Sequence, residues 1–265
     1  MNILLTNDDG FGSKGLVALE RRLSQEHNVF VIAPDGNRSG KGMATHIAKP
    51  LYYHKMGERS YTCSGTPVDC VIAGIKTNLL GEKIDLVVSG INQGSNVGTE
   101  IVYSGTCSAA TQATFFGIPA IAASLNITYG KDWDDENSWD YEPLADFVAN
   151  NLESLKSLAR PSVDSNGNVD KPGVFVNVNV YDYPKFKGVK QTDCCFIRYD
   201  GKTEVKLDSG NEGDFKSIFW GLKDSVYRTE NSDYEAAKEG YISLERIIVD
   251  PVSEPADISG ITWKL

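Results

Sequence analysis

Short apolar runs alternate with helix-patterned segments along the first two thirds of the chain, and several of these runs end in a glycine-rich polar loop. Asn2 to Thr6 reads as a short buried strand, Gly15 to Gln25 as a helix with apolar residues at helical spacing, and Asn28 to Ala33 as a second strand. This is a βαβ beginning. Cys63 to Asp69 reads as a strand end entering a helix that runs to about Leu80, with Thr66 as its cap and Pro67 in the first helical position. A strand from Ile84 to Ser89 follows, then a helix from Thr106 to Gly117 and a strand from Ala120 to Ser124. Leu144 to Leu158 has the pattern of one amphipathic helix, and the alternation of Gly173 to Val180 predicts a strand with one better-buried face. Strands and helices in alternation predict an α/β fold on a mostly parallel sheet.

Beyond Tyr183 the pattern changes to short strand-like runs separated by Gly and Asp, among them CCFIRYD, FKSIFWGL and GYISLERIIV. Residues 1–182 are therefore expected to form the core, and residues 183–265 a β-rich C-terminal extension. Ser217 to Leu222 and Tyr241 to Val249 have no following helix to cover them. Uncovered apolar strands tend to pair with another chain, which predicts a homodimer or higher homo-oligomer. The acidic, tryptophan-containing segment from Tyr129 to Asp140 reads as a surface loop or as an edge of the site's mouth.

Composition narrows the partners. With 265 residues, 41% hydrophobic and 23% charged, the chain is an ordinary globular protein of one large domain, or one with an appendage. Its net charge of -10 argues against a nucleic-acid duplex, whose binding relies on Lys and Arg neutralising phosphates. Small anions remain open if a cation or backbone dipoles receive them. The opening apolar run is too short for a signal peptide, and no stretch reaches the roughly 18 apolar residues of a membrane helix. A cytoplasmic protein without a membrane partner is expected. Cys63, Cys70, Cys107, Cys194 and Cys195 show no metal-ligand spacing and read as small buried residues of a reducing compartment, with a catalytic thiol left open. His27, His46 and His54 read as solvated or locally bonded.

The candidate chemistry lies in three loops, NDDGFGS, PDGNRSGKG and SGINQGSNVGTEIVYSGT, each following an apolar strand. If those strands are parallel, all three loops open on one edge, where ligands of open α/β sheets bind. The first loop supplies Asp8 and Asp9, the second Ser39 and the third Asn92. Together they make an all-oxygen set for one divalent cation, Mg²⁺ or Mn²⁺, with positions left for water and a substrate phosphate. Ser104, Gly105 and Thr106 stand just before a helix, where free N–H groups and hydroxyls can face a phosphate. Each piece also has a plainer reading, because NDDG is an ordinary turn and helix cap, and Ser104 or Thr106 can simply cap. Their joint occurrence on one edge favours the functional reading. No GxGxxG fingerprint follows the first strand.

ILLTNDDG, the Pro34 to Thr45 loop with Ser39 and Gly40, CSGTPVDC, and VSGINQGSNVG followed by YSGT stand in the order and spacing of a known family. Over residues 1–125 the chain resembles the SurE family of survival-protein nucleotidases and acid phosphatases. GVFVNVNV and NSDYEAAKEGYISLERI match it more loosely, with Tyr181 where the family often has proline and no Thr-Pro in the GYISLERI run. The resemblance implies a Rossmann-like three-layer core and a C-terminal extension used in dimerisation. It also implies a divalent-metal-dependent phosphomonoesterase acting on nucleoside monophosphates, with Asp8, Asp9, Ser39 and Asn92 at the metal. In the leading mechanism a water attacks phosphorus and one of the catalytic pair Asp8 and Asp9 takes its proton, with direct attack by a carboxylate left open. Asn96, Gly40, Ser104, Gly105 and Thr106 hold the phosphate. Two rivals fit less well. A receiver-like signalling module wants a phospho-accepting Asp at a later strand end, where Pro34 and Gly90 stand, and a haloacid-dehalogenase-like phosphatase wants an Asp near Gly10 or Phe11.

Overall fold

The computed structural model describes residues 1–127, 138–164, 166–199, 203–207, 215–219, 224–251 and 253. Alternation along the strands decides the layering. In β1 (Asn2–Thr6) the side chains of Ile3 and Leu5 enter one core and that of Leu4 the other, since successive side chains point to opposite faces. Both faces are apolar, so both need cover. Helices α1 (Lys14–Leu23), α4 (Glu142–Asn150) and α5 (Leu152–Leu158) supply it on the first face. The second is covered by α2 (Pro67–Lys76) and α3 (Gly105–Phe115), the latter through Ala109, Ala110 and Ala113. Thr66 and Asp69 form the full capping box of α2, with Pro67 in the first turn as the sequence predicts. The single helix expected from Leu144 to Leu158 is two, parted at Asn151. The Asn151 Nδ2 donates to the Phe147 carbonyl at 2.8 Å, a local bond that competes with continuing the helix.

The strands β2 (Asn28–Pro34), β3 (Tyr53–Lys55), β4 (Ser60–Cys63), β5 (Leu86–Gln93), β6 (Ala120–Asn126) and β7 (Val174–Tyr181) join β1 in one sheet. From β1 the chain steps outward through β2 to β4, then returns to the other side of β1 at β5 and steps outward through β6 to β7, all parallel. This is the doubly wound, Rossmann-like arrangement, and it places the topological switch point between β1 and β5.

The tail rejoins this sheet. Strand β13 (Ile242–Ile248) pairs antiparallel with β7, and β8 (Val189–Gln191) runs parallel to β13 as the outer strand of nine. The run Tyr241 to Val249 is thus not an uncovered strand: Ile242 and Leu244 join one core, and Ile247 and Val249 the other. A helix, α6 (Asp233–Lys238), precedes it. Two antiparallel ribbons stand outside the main sheet, β9 (Phe196–Tyr199) with β12 (Asp224–Tyr227) and β10 (Thr203–Leu207) with β11 (Phe215–Phe219). Of the other apolar run, residues 217–219 lie in β11 and 220–222 lie outside the described residues. Strand β7 is buried on both faces, not one, because Asn177 and Asn179 are fully enclosed beneath β13 and the loop after β5. Most of the acidic segment also lies outside the described residues; at its end Trp139 and Tyr141 are buried and stacked, ring centres 6.1 Å apart.

Candidate active site at the carboxyl edge of the sheet

The switch point brings the end of β1 beside the end of β5, and the loops that leave them carry the polar residues. Asp8 is only 3% exposed, yet its carboxylate is well supplied with donors. Its Oδ1 accepts from the Thr106 hydroxyl at 2.6 Å and its Oδ2 from the Gly105 N–H at 3.1 Å, at the positive start of α3. The approach is so close that a Cβ on Gly105 would lie 2.7 Å from the Asp8 Cβ, so only glycine fits there. Burial pushes the Asp8 carboxyl above its ordinary value, against these hydrogen bonds. Asp9 is half-buried, and its Oδ2 accepts the Gln93 N–H at 3.0 Å. Burial first, and the charge of Asp8 second, push its carboxyl up to about 7. Neither aspartate has an ion-pair partner among the described residues.

A cavity of about 1060 Å³ opens here, lined by Asp8, Ser39, Gly40, Asn92, Asn96 and Ser104. Asp9 faces a smaller neighbouring cavity of about 290 Å³, with Gln93, Trp139 and Tyr141. Ser39 and Gly40 are exposed on the loop after β2, which is tied to the first loop by the Arg38 N–H donating to the Asp8 carbonyl at 2.7 Å. Asn92 belongs to β5 itself, not to the loop beyond, and the register with β6 slips between Ser89 and Asn92. Its Nδ2 donates to the Gly94 carbonyl at 2.8 Å, which leaves the side-chain oxygen as the free end. Asn96 is held on three sides. Its N–H donates to Asn179 Oδ1 at 2.8 Å, its Nδ2 to the Ser124 hydroxyl at 2.8 Å, and its carbonyl accepts from Asn177 and Asn179.

The proposed anion loop is arranged differently from the sequence expectation. Ser104 is the cap of α3, its hydroxyl accepting the Cys107 N–H at 3.0 Å, and it still lines the cavity. Gly105 and Thr106 give their donors to Asp8, and neither lines that cavity. They hold the carboxylate.

A family model described as "Survival protein SurE" matches residues 3–201. The chain belongs to the SurE family. It is 36% identical over 258 residues to "5'-nucleotidase SurE" of Clostridium beijerinckii, covering 94% of each chain, and 37% identical over 254 residues to the protein of that name from Geotalea daltonii, again 94% of each. The crystal structure of a SurE protein from Aquifex aeolicus matches at a TM-score of 0.72 with 31% identity, covering 95% of both chains. The SurE motifs account for Asp8, Ser39, Asn92, Asn96 and Ser104 at the cavity.

Three further residues line the SurE cavity, and of these Tyr103 alone belongs to a motif, YSGT. Tyr103, 60% exposed, lies just before Ser104; Phe196 and Arg198 come from β9, far along the chain. Only tertiary placement reveals the last two. No lysine lines the large cavity among the described residues, which gives a receiver-like phosphorelay no support.

Proposed function

We propose that this chain is a divalent-metal-dependent phosphomonoesterase, a 5′-nucleotidase that hydrolyses nucleoside monophosphates. What carries the reading is the convergence of Asp8, Ser39, Asn92 and Asn96 from separate loops around one cavity at the switch point, in a chain of the SurE family. Asp8, Asp9, Ser39 and Asn92 are the residues that would hold the metal. They suit a hard cation because every available donor is oxygen, and because the carboxylates of buried Asp8 and half-buried Asp9 lack a countercharge among the described residues. Mg²⁺ or Mn²⁺ is the expected ion. Bound there, it would offset charge on a transferring phosphoryl group and orient water.

The protein's own part is positioning. Thr106 and Gly105 fix the Asp8 carboxylate, and Gln93 fixes that of Asp9. Asn96, Ser104 and the backbone at Gly40 remain as receivers for phosphate oxygens, consistent with a reaction governed by electrostatics and alignment. Tyr103 and Phe196 supply aromatic surface at the same cavity, suited to a nucleobase. One of the paired aspartates accepts the proton of the attacking water.

We further propose a cytoplasmic homo-oligomer. No helix among the described residues is long and apolar enough to cross a membrane. With β13 enclosed in the main sheet, the ribbons of residues 183–265 are the part available for dimerisation. Phosphate release from 5′- and 3′-nucleoside monophosphates, with Mg²⁺, with Mn²⁺ and with excess chelator, tests the function. The expected result is metal-dependent release from the 5′ substrates. Full turnover in chelator, or none on any nucleotide, would overturn the proposal.

A further inference from the structure

Behind the loop that carries Asn96, three side chains distant in sequence meet. The Sγ of Cys194, a carboxylate oxygen of Asp233 and one of Glu245 all lie within 4.8 Å of one another. Asp233 is fully buried and Glu245 is 2% exposed, while Cys194 reaches solvent. Asp233 is well bonded: its Oδ1 accepts the N–H groups of Cys195 at 3.0 Å and Tyr234 at 2.8 Å, and its Oδ2 that of Gly98 at 2.5 Å. Glu245 is not. Its Oε2 accepts from Asn177 Nδ2 at 3.1 Å, but its Oε1 is buried with no hydrogen-bond partner.

An enclosed carboxylate oxygen without a donor calls for a countercharge or a proton. Among the described residues no Lys, Arg or His pairs with either acid. Burial, and then the charge of Asp233, push the Glu245 carboxyl up to about 8. A proton shared between the two acids would relieve the repulsion, with the Cys194 thiol beside Glu245 as a further weak donor. One sulfur and two oxygen donors around a common point make a metal-ligand set, and the solvent-facing Cys194 marks the way in.

We propose that Cys194, Asp233 and Glu245 form a second cation site, apart from the Asp8–Asp9 edge, that takes Zn²⁺ with water as fourth ligand. Zinc accepts thiolate and carboxylate alike, whereas sulfur tells against Mg²⁺. With Zn–S near about 2.3 Å and Zn–O near about 2.0–2.2 Å, the three donors, which lie within 4.8 Å of one another, would draw together around one ion on binding. On binding, the Cys194 thiol, and Glu245 where it is protonated, release their protons to solvent. The site is joined to the candidate active site by short links. Asp233 holds the Gly98 N–H, and Glu245 holds Asn177, whose Nδ2 also donates to the Asn96 carbonyl at 2.9 Å.

Cobalt titration of the full-length protein tests this, because Co²⁺ bound by a thiolate shows a sulfur-to-metal charge-transfer absorption in the near ultraviolet. The expected result is a band that saturates at one equivalent, is displaced by Zn²⁺, survives in Asp8→Asn and is lost in Cys194→Ser. Should Cys194→Ser fail to fold, Glu245→Gln, which keeps the side-chain volume, serves instead and should weaken Co²⁺ binding about tenfold or more. No band in the wild type with excess Co²⁺, a band that survives Cys194→Ser, or unchanged affinity in Glu245→Gln would overturn the proposal.

Discussion

Two pairs of acids withdrawn from solvent, with only Asp9 half-buried, lie on either side of the loop that follows β5, and they handle the same liability in opposite ways. Asp8 and Asp9 are neighbours in sequence at the switch point, and Asp8 borders the large cavity. Asp233 and Glu245 come from α6 and β13 and do not line that cavity. Each Asp8 oxygen takes one donor, so a carboxylate with about four lone-pair sites keeps capacity for a ligand. Asp233 spends its oxygens on three backbone N–H groups and thereby pins Gly98, Cys195 and Tyr234. A carboxylate with two lone-pair sites spare at a cavity suits chemistry; one with three sites taken by the backbone holds the fold and keeps a single site for a ligand.

The sharpest break in this contrast comes from replacing one acid of each pair. Asp8→Asn should lower kcat about a thousandfold with an unchanged circular dichroism spectrum, a loss of the size seen when a transition-state electrostatic contact is removed. Activity within about tenfold of wild type at saturating Mn²⁺ would place Asp8 on the structural side. Asp233→Ala should do the reverse, costing about 3 kcal/mol of stability because it strands buried N–H donors. Urea denaturation measures it, and an unshifted midpoint would remove Asp233 from the structural role.

A third acid sharpens the comparison, since Asp69 is saturated and ties down Thr45, at the end of the loop that carries Ser39. It accepts from the Thr45 hydroxyl at 2.6 Å, the His46 N–H at 3.0 Å and the Thr66 N–H at 2.9 Å, and it meets His46 Nδ1 at 2.8 Å. Burial raises its carboxyl, but these bonds outweigh burial and hold it below the ordinary 3.8. Its contribution is therefore complete above pH 3.8 and is lost as the pH falls through the folded-state value. Asp69→Asn should cost about 2 kcal/mol at neutral pH and flatten the acid limb of a stability profile; an acid limb as steep as wild type would contradict this. The smallest effect is expected from Thr106→Ala. With Gly105 still holding Asp8, kcat and kcat/KM should fall together by about tenfold, and a change in KM alone would mean that Thr106 contributes only to uniform binding.

Much of this contrast was legible before any coordinates, on one side only. Asp8, Asp9, Ser39 and Asn92 announce themselves because each stands a few residues from a strand with a turn-forming glycine nearby, and such signals are local. Thr66 and Pro67 predicted the start of α2 for the same reason. Cys194, Asp233 and Glu245 carried no such mark, nor did Phe196 and Arg198 at the cavity. The alternation of Asn177 and Asn179 suggested an exposed face, and β13 looked like an uncovered strand, until their pairing put the amides inside and the strand within the sheet.

From its own letters the chain indicated most strands and helices of its first two thirds, the burial of β1, and the loops that are candidates for the chemistry. These follow from side-chain periodicity and turn chemistry, which act over a few residues. Only the tertiary structure decided that Gly105 and Thr106 serve Asp8, that β13 closes against β7, and that a thiol meets two carboxylates. Such meetings depend on which distant surfaces bury each other best, a property of the whole packed chain that no local pattern encodes.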